Sequence, residues 1–171
     1  MFIINQTGGI SGGYKTFGGT ANDFGESVIL VNQGFLVTGT TSSMGSGGSD
    51  IYLLKTSLTI NDIQWEKTFG GTSNEGAGNI NITSDGGYIL CGFTESEGEG
   101  SKDQYLIKTD DTGVESWTMT YGGTGSDIAK SVVPATDGGY VITGSSEFEN
   151  NQMISLIKTS DTGSLINTST K

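Results

Sequence analysis

The sequence predicts an all-β chain made of three consecutive copies of a four-stranded antiparallel sheet. Three observations carry this expectation: a motif returns at fixed spacing, helical periodicity is absent, and turn residues cut each period into short runs. Lys15–Thr20 reads KTFGGT, Lys67–Thr72 repeats it and Met119–Thr124 reads MTYGGT, a spacing of 52 residues both times. Self-similarity on this scale marks a repeat architecture. Glycine takes 29 of the 171 positions, and no window sets apolar residues at i, i+3, i+4 and i+7 as an amphipathic helix requires.

Residues 1–14 form a head outside the repeats, in which Phe2-Ile3-Ile4 is expected to add a strand that helps to close the structure. The repeats fill 15–66, 67–118 and 119–171 of a single domain spanning 1–171. In the second period the strands, called a to d, are expected at Gly78–Thr83, Tyr88–Thr94, Gln104–Thr109 and Val114–Tyr121. The a–b turn is SDGGY at Ser84–Tyr88, TDGGY at Thr136–Tyr140 and the shorter NQGF at Asn32–Phe35. Glycine there makes positive φ cheap and a tight hairpin follows. Strand b returns as Leu36–Gly39, Ile89–Gly92 and Val141–Gly144, and strand c as Tyr52–Thr56, Tyr105–Thr109 and Ser155–Thr159. Both are continuous apolar runs, as in central strands covered on both faces. The c–d turns carry Asp111-Thr112-Gly113 and Asp161-Thr162-Gly163, with glycine suited to a left-handed position. Strand d alternates, as in Ile63-Gln64-Trp65-Glu66-Lys67, which fits an edge with one wet side.

Four antiparallel strands per period, joined head to tail, describe the blade of a β-propeller. A β-trefoil or β-prism is the alternative, because three repeats close one monomer there. Closed propellers have about four to eight blades, so three blades of about 52 residues leave an open arc. The simplest remedy is a homodimer, two chains forming a six-bladed ring of twofold symmetry. Gly12–Phe17 ends in YKTF, an additional piece of d-strand sequence ahead of the first period, and so supplies a segment for closure or exchange.

The run W-x-K-T-F-G-G, D-G-G-Y-I-L and Y-L-I-K-T resembles repeats found in many copies in large prokaryotic cell-surface proteins and lipoproteins. It extends from Lys15 to Lys171. The resemblance implies propeller blades and a cell-surface setting, and it implies no ligand or activity. Two features depart from it: there are only three repeats, and the head MFIINQTGG has no basic region before its short apolar run. That head is not expected to be a signal peptide, so the sequence by itself points to the cytoplasm.

Composition narrows the chemistry. The chain carries 19 Asp+Glu against 8 basic residues, all lysine, and has no histidine, for a net charge of −11. Histidine-dependent nucleophilic catalysis is excluded, as are arginine clamps for phosphate. The charge is wrong for nucleic acid and for an anionic membrane surface. No apolar run is long enough for membrane insertion. A lone cysteine makes no intrachain disulfide, and no cofactor is expected. Glycoside hydrolysis by a carboxylate pair is the one familiar enzyme route left. Equivalent acids in every repeat argue for structure instead, so the expected protein is not an enzyme.

The d–a loops Gly18–Ser27, Gly70–Asn79 and Gly122–Ser131 place Asp23, Glu75 and Asp127 in register, 52 residues apart, preceded by Asn22, Asn74 and Ser126. In a closed ring these are candidates for ligand binding, with the three acids as weak candidates for Ca2+. The competing reading is that each acid fixes its own turn by accepting backbone N–H bonds. The b–c loops Thr41–Asp50, Thr94–Asp103 and Ser145–Gln152 vary while the strands repeat, so protein or glycan ligands are expected on this loop face. Trp65 and Trp117 are expected to pack between blades, Lys55, Lys108 and Lys158 to form surface ion pairs, and Cys91 to fill a small buried place. The expected function is a non-catalytic scaffold or protein- or glycan-binding module. A minimal propeller fragment devoted to self-assembly is the alternative, with a glycoside hydrolase the least supported.

Overall fold

The computed structural model describes residues 14–166 and, at the head, the strands β1 (Ile3–Ile4) and β2 (Ile10–Ser11). These two short strands pair with each other, Ile3 opposite Ser11; Phe2 lies outside the described residues. Eleven further strands form three antiparallel sheets, and the described residues contain no helix. The first sheet is a meander of β3 (Asp23–Val31), β4 (Gly34–Thr41), β5 (Asp50–Ser57) and β6 (Ile63–Phe69). The second repeats it with β7 (Glu75–Ile82), β8 (Tyr88–Thr94), β9 (Asp103–Thr109) and β10 (Glu115–Tyr121). The third has β11 (Ile128–Pro134), β12 (Tyr140–Phe148) and β13 (Asn151–Thr159). Its fourth strand is represented by a single bridge from Leu165 to Thr159 and by Ile166 N–H donating to the Lys158 carbonyl at 3.0 Å. Residues 167–171, where the rest of that strand was expected, lie outside the described part.

The turns follow from their residues. Gly86 and Gly138 take φ of 86° and 97° in the a–b hairpins, and Gly113 and Gly163 take 77° and 83° in the c–d turns. Asp110, just ahead of the expected Asp111-Thr112-Gly113, braces the second c–d turn: its Oδ1 accepts the Thr112 and Val114 amides, both at 2.9 Å. In the first period Ile60 occupies the glycine place at φ 56°, a costly conformation for a β-branched residue. Strand β7 starts three residues before the expected Gly78, because Glu75 and Gly76 pair with Thr94 and Phe93 ahead of a bulge between Ala77 and Ile80.

The sheets pack face to face in chain order: β7 lies on β3, β4 and β5, and β11 lies on β7, β8 and β9. Two apolar cores result. In the first, Ile80, Leu90 and Ile107 of the second sheet meet Leu36, Ile51 and Leu53 of the first. In the second, Val132 and Ile142 of the third sheet meet Ile89 and Leu106 of the second. Trp65 packs in a tilted contact on Tyr88 of the next sheet, ring centroids 6.3 Å apart, and Trp117 likewise on Tyr140 at 5.9 Å, so both tryptophans are packing residues between sheets.

Equivalent positions have different fates according to whether a neighbour exists. Val28, Ile80 and Val132 hold one place in successive a strands; Ile80 and Val132 are fully buried, while Val28 is 61% exposed. Along strand c, β9 is buried throughout. The expectation that Leu156 sits on a strand covered on both faces does not hold, because no described element follows the third sheet: Ile154 is 90% and Leu156 75% exposed. Among the described residues the three sheets therefore form an open stack with two uncovered end faces, in place of the threefold closure of a trefoil or prism.

Candidate functional site

The d–a loops supply the most regular polar geometry. Each acid accepts the N–H of the second glycine of its Gly-Gly pair, four residues back: Gly19 to Asp23 Oδ2 at 2.9 Å, Gly71 to Glu75 Oε2 at 2.8 Å, Gly123 to Asp127 Oδ2 at 3.0 Å. A b-strand hydroxyl completes two of them, Thr41 donating to Asp23 and Thr94 to Glu75. The Thr41 hydroxyl, with help from the Gly19 amide and Ser43, holds the Asp23 carboxyl below the ordinary aspartate range. These bonds belong to the turn-fixing role. The preceding residues are likewise engaged: the Asn22 carbonyl accepts Ser42 N–H, Asn74 Nδ2 donates to Glu95 Oε2 at 2.8 Å, and Ser126 N–H donates to Glu147 Oε2 at 3.1 Å. Asp23, Glu75 and Asp127 are not gathered: among the described residues no three acidic, histidine or cysteine side chains come together as a metal cage.

Sequence reasoning missed the partners these acids do have. Asp50 and Asp103 open the c strands and are each 2% exposed. A Cβ built on Gly70 would stand 2.3 Å from both Asp50 Oδ1 and Glu75 Oε2; on Gly122 it would stand 2.4 Å from Asp103 Oδ1 and 2.8 Å from Asp127 Oδ2. At each seam two buried carboxyl groups thus face one another across a glycine that must lack a side chain. Burial, then the Glu75 charge, pushes the Asp50 carboxyl up. The signal available was an aspartate 53 residues apart just before each Tyr-Leu-x-Lys-Thr run.

Main-chain bonds stitch the same end of the stack. The first b–c loop reaches the following sheet through Gly48 N–H to Ser73 carbonyl at 2.9 Å and Glu75 N–H to Ser49 carbonyl at 2.7 Å. The second repeats this with Ser101 to Gly125 at 3.1 Å and Asp127 to Lys102 at 2.7 Å. The expected third loop, Ser145–Gln152, is not a loop. β12 and β13 run through it to a tight turn at Glu149-Asn150, φ 50° and 62°, the two positive values of a type I′ hairpin.

A second feature lies where the a strands stand side by side. Each carries a bulge at the same place, between Gly25 and Ser27, Ala77 and Ile80, and Ala129 and Ser131. Bulges re-aim side chains, and these open a shallow pocket lined by Glu26, Ser27, Asn79, Lys130 and Ser131. Asn79 Nδ2 donates to Ser27 Oγ at 3.3 Å, and its buried Oδ1 accepts nothing from the described residues. This pocket was not anticipated, since it needs three strands that are far apart in sequence.

The lysines divide. Lys158 bonds Asp137 at 2.7 Å on the surface, but Lys108 is buried, its Nζ 2.8 Å from Asp85 Oδ2 and 2.9 Å from the Thr109 carbonyl. The Lys108 ammonium, with Thr83 and the Gly87 amide, draws the Asp85 carboxyl down to about 2. Lys55 has no such partner among the described residues, because its a–b turn is Asn32-Gln33-Gly34 and carries no acid. Cys91 is buried as expected, and burial pushes its thiol up to about 11, an unreactive state. No family model matches this chain, and no curated protein matches it significantly.

Proposed function

We propose that this chain is a non-catalytic repeat module of the propeller type, an arc of three blades that closes with a second copy into a six-bladed ring. In that form it serves as a scaffold or as a protein- or glycan-binding domain. One observation carries the reading: the position buried as Ile80 and Val132 at the two internal seams is exposed as Val28 at the leading end, while Leu156 lies exposed on the trailing face. Leu53 and Leu106, which precede Leu156 in the repeat, are fully buried at those seams. The surfaces left open are thus the two halves of an interface the chain already makes twice, and a monomer seldom keeps such apolar faces wet. The d–a acids are spent on their own turns, which favours scaffold over catalyst. Ligand contact is assigned to the bulge pocket, where polar groups of both charges converge and one acceptor is unused.

Light scattering on a sizing column tests the assembly. A species of twice the 17.8 kDa chain mass is expected. A monomer at every accessible concentration overturns it.

A further inference from the structure

The repeat lysine of strand c is held in the same way in two of the three repeats. Lys108 Nζ donates to Asp85 of its a–b turn at 2.8 Å and to the Thr109 carbonyl at 2.9 Å. Lys158 Nζ donates to Asp137 at 2.7 Å and to the Thr159 carbonyl at 3.1 Å. Each ammonium thereby lies over the glycine that closes the turn, 2.7 Å from a Cβ built on Gly87 and 2.9 Å from one built on Gly139. Lys55 holds the matching place in β5, opposite Leu36 and Trp65 as Lys108 is opposite Ile89 and Trp117. Among the described residues it makes neither bond. Its turn, Asn32-Gln33-Gly34, carries no acid, and neither do residues 1–13 of the sequence. No Lys55 atom comes within 3.5 Å of a Cβ built on Gly34, so this ammonium is not folded over its glycine.

Lys55 instead lines a pocket of about 380 Å3 at the first seam, between the a–b turns of the first and second sheets. That volume is in the range of small-ligand sites. Asn32, Gln33 and Asp111 line the same pocket; all three are exposed, and their side chains make no hydrogen bond among the described residues. Ile82 and Tyr88 supply a short apolar wall. The corresponding pocket at the second seam is lined by Asp85, Lys108, Tyr140 and Asp161, and there the carboxylate that the lysine binds is already inside. Two copies of the repeat thus show what this ammonium pairs with, and the first copy leaves that position to a group from outside the chain.

We propose that the first-seam pocket binds a uronic acid, a sugar whose ring carries a carboxylate, with that carboxylate on Lys55 as Asp85 and Asp137 are on Lys108 and Lys158. The rest of the lining selects a polyhydroxylated body. The amides of Asn32 and Gln33 both donate and accept, and the Asp111 carboxylate accepts from a hydroxyl. The apolar wall suits the C–H face of one sugar ring and is too short for an acyl chain. The net charge of −11 opposes any anion at long range, but at physiological salt it is screened beyond about 8 Å, so local contacts decide. Both walls of the pocket belong to one chain. The site therefore rests on the binding-module reading and is independent of the two-chain ring.

The test titrates the isotope-labelled full chain with glucuronate at constant ionic strength and follows the amide signals by NMR. Saturable shifts are expected at Asn32–Gly34, Lys55 and Asp110–Gly113, with a Kd on the order of 1 mM for a ligand of this size. Glucose and acetate, each lacking one half of the recognised chemistry, bind about 10-fold more weakly or worse, and Lys55→Gln weakens glucuronate by a similar factor. Asn32→Asp returns an acid to the turn and weakens glucuronate likewise, by giving Lys55 an internal partner; it answers the same question if Lys55→Gln fails to fold. Acetate binding as tightly as glucuronate overturns the sugar, and glucose binding as tightly overturns the carboxylate. Glucuronate binding that survives both variants, or no saturable shift at all, overturns the site. Shifts confined to Glu26, Asn79 and Lys130 overturn it as well, while leaving the binding module standing with its ligand in the bulge pocket.

Discussion

Replacing Val132 by alanine and, separately, Val28 by alanine compares one position of the repeat with and without a neighbouring sheet. Val132 is fully buried between the second and third sheets, whereas Val28 is 61% exposed. The change removes two methylene equivalents, worth about 0.8 kcal/mol each when buried. A residual cavity adds to this in a packed seam, bringing the cost at Val132 to roughly 2 kcal/mol. In a chain of this length that is a fall in Tm of roughly 4–8 °C. At Val28 in a monomer the cost is within about 0.5 kcal/mol, as for other surface changes. Urea titration followed by tryptophan fluorescence reads both, because Trp65 and Trp117 lie in the two seams. If a second copy covers the leading face, the Val28→Ala cost rises with protein concentration and the Val132→Ala cost does not. Equal costs for the two variants at every concentration would refute the assignment of these faces.

The remaining predictions concern charge and backbone. Asp50 has a folded pKa above its unfolded value, so its contribution to stability declines as pH rises from about 4 through that raised value. Asp50→Asn therefore gives a protein more stable than the parent at pH 7 and equal to it near pH 3; denaturant midpoints at the two pH values check this, and a variant weaker at both contradicts it. Asp85 has the opposite sign: its stabilisation is complete above about pH 4 and is lost as pH falls towards about 2. Because Asp85 itself is largely solvent-exposed, screening limits the cost of Asp85→Asn to about 1 kcal/mol at pH 7, and most of that cost is gone by about pH 2 in the same titration. Ile60→Gly relieves a left-handed β-branched residue at the place Gly113 and Gly163 occupy, and raises stability by about 1 kcal/mol in thermal unfolding. A destabilised variant would show that Ile60 packs better than its φ suggests.

The strands were legible because a fixed spacing superimposed three copies of each turn, so Gly86 and Gly138 or Gly113 and Gly163 marked the same corners. What could not be read depended on contacts between repeats. Asp50 meets Glu75 only when successive sheets stack, and neither residue advertises the other within its own period. Lys108 looked like a surface lysine until Asp85 and the Thr109 carbonyl were placed around its ammonium. The third b–c hairpin was hidden because Glu149-Asn150 takes the positive φ values without the glycine that usually signals them. Leu156 is exposed because no described element follows the third sheet, yet its sequence is that of a buried strand. Of the proposed site residues, the recurrence of Asp23, Glu75 and Asp127 was plain, but recurrence alone does not separate a ligand from a turn brace.

The b–c loops give the stack a direction. Each long loop hands its carbonyls and amides to the sheet after it and to none before, so the first sheet grips without being gripped and the third is gripped without gripping. The short Glu149-Asn150 hairpin leaves the trailing end with no hand to extend. Any assembly formed across that end has a seam unlike the two interior ones, held by its faces but lacking the loop stitch. Such a join is the natural place for the structure to come apart and re-form, while the interior joints stay latched.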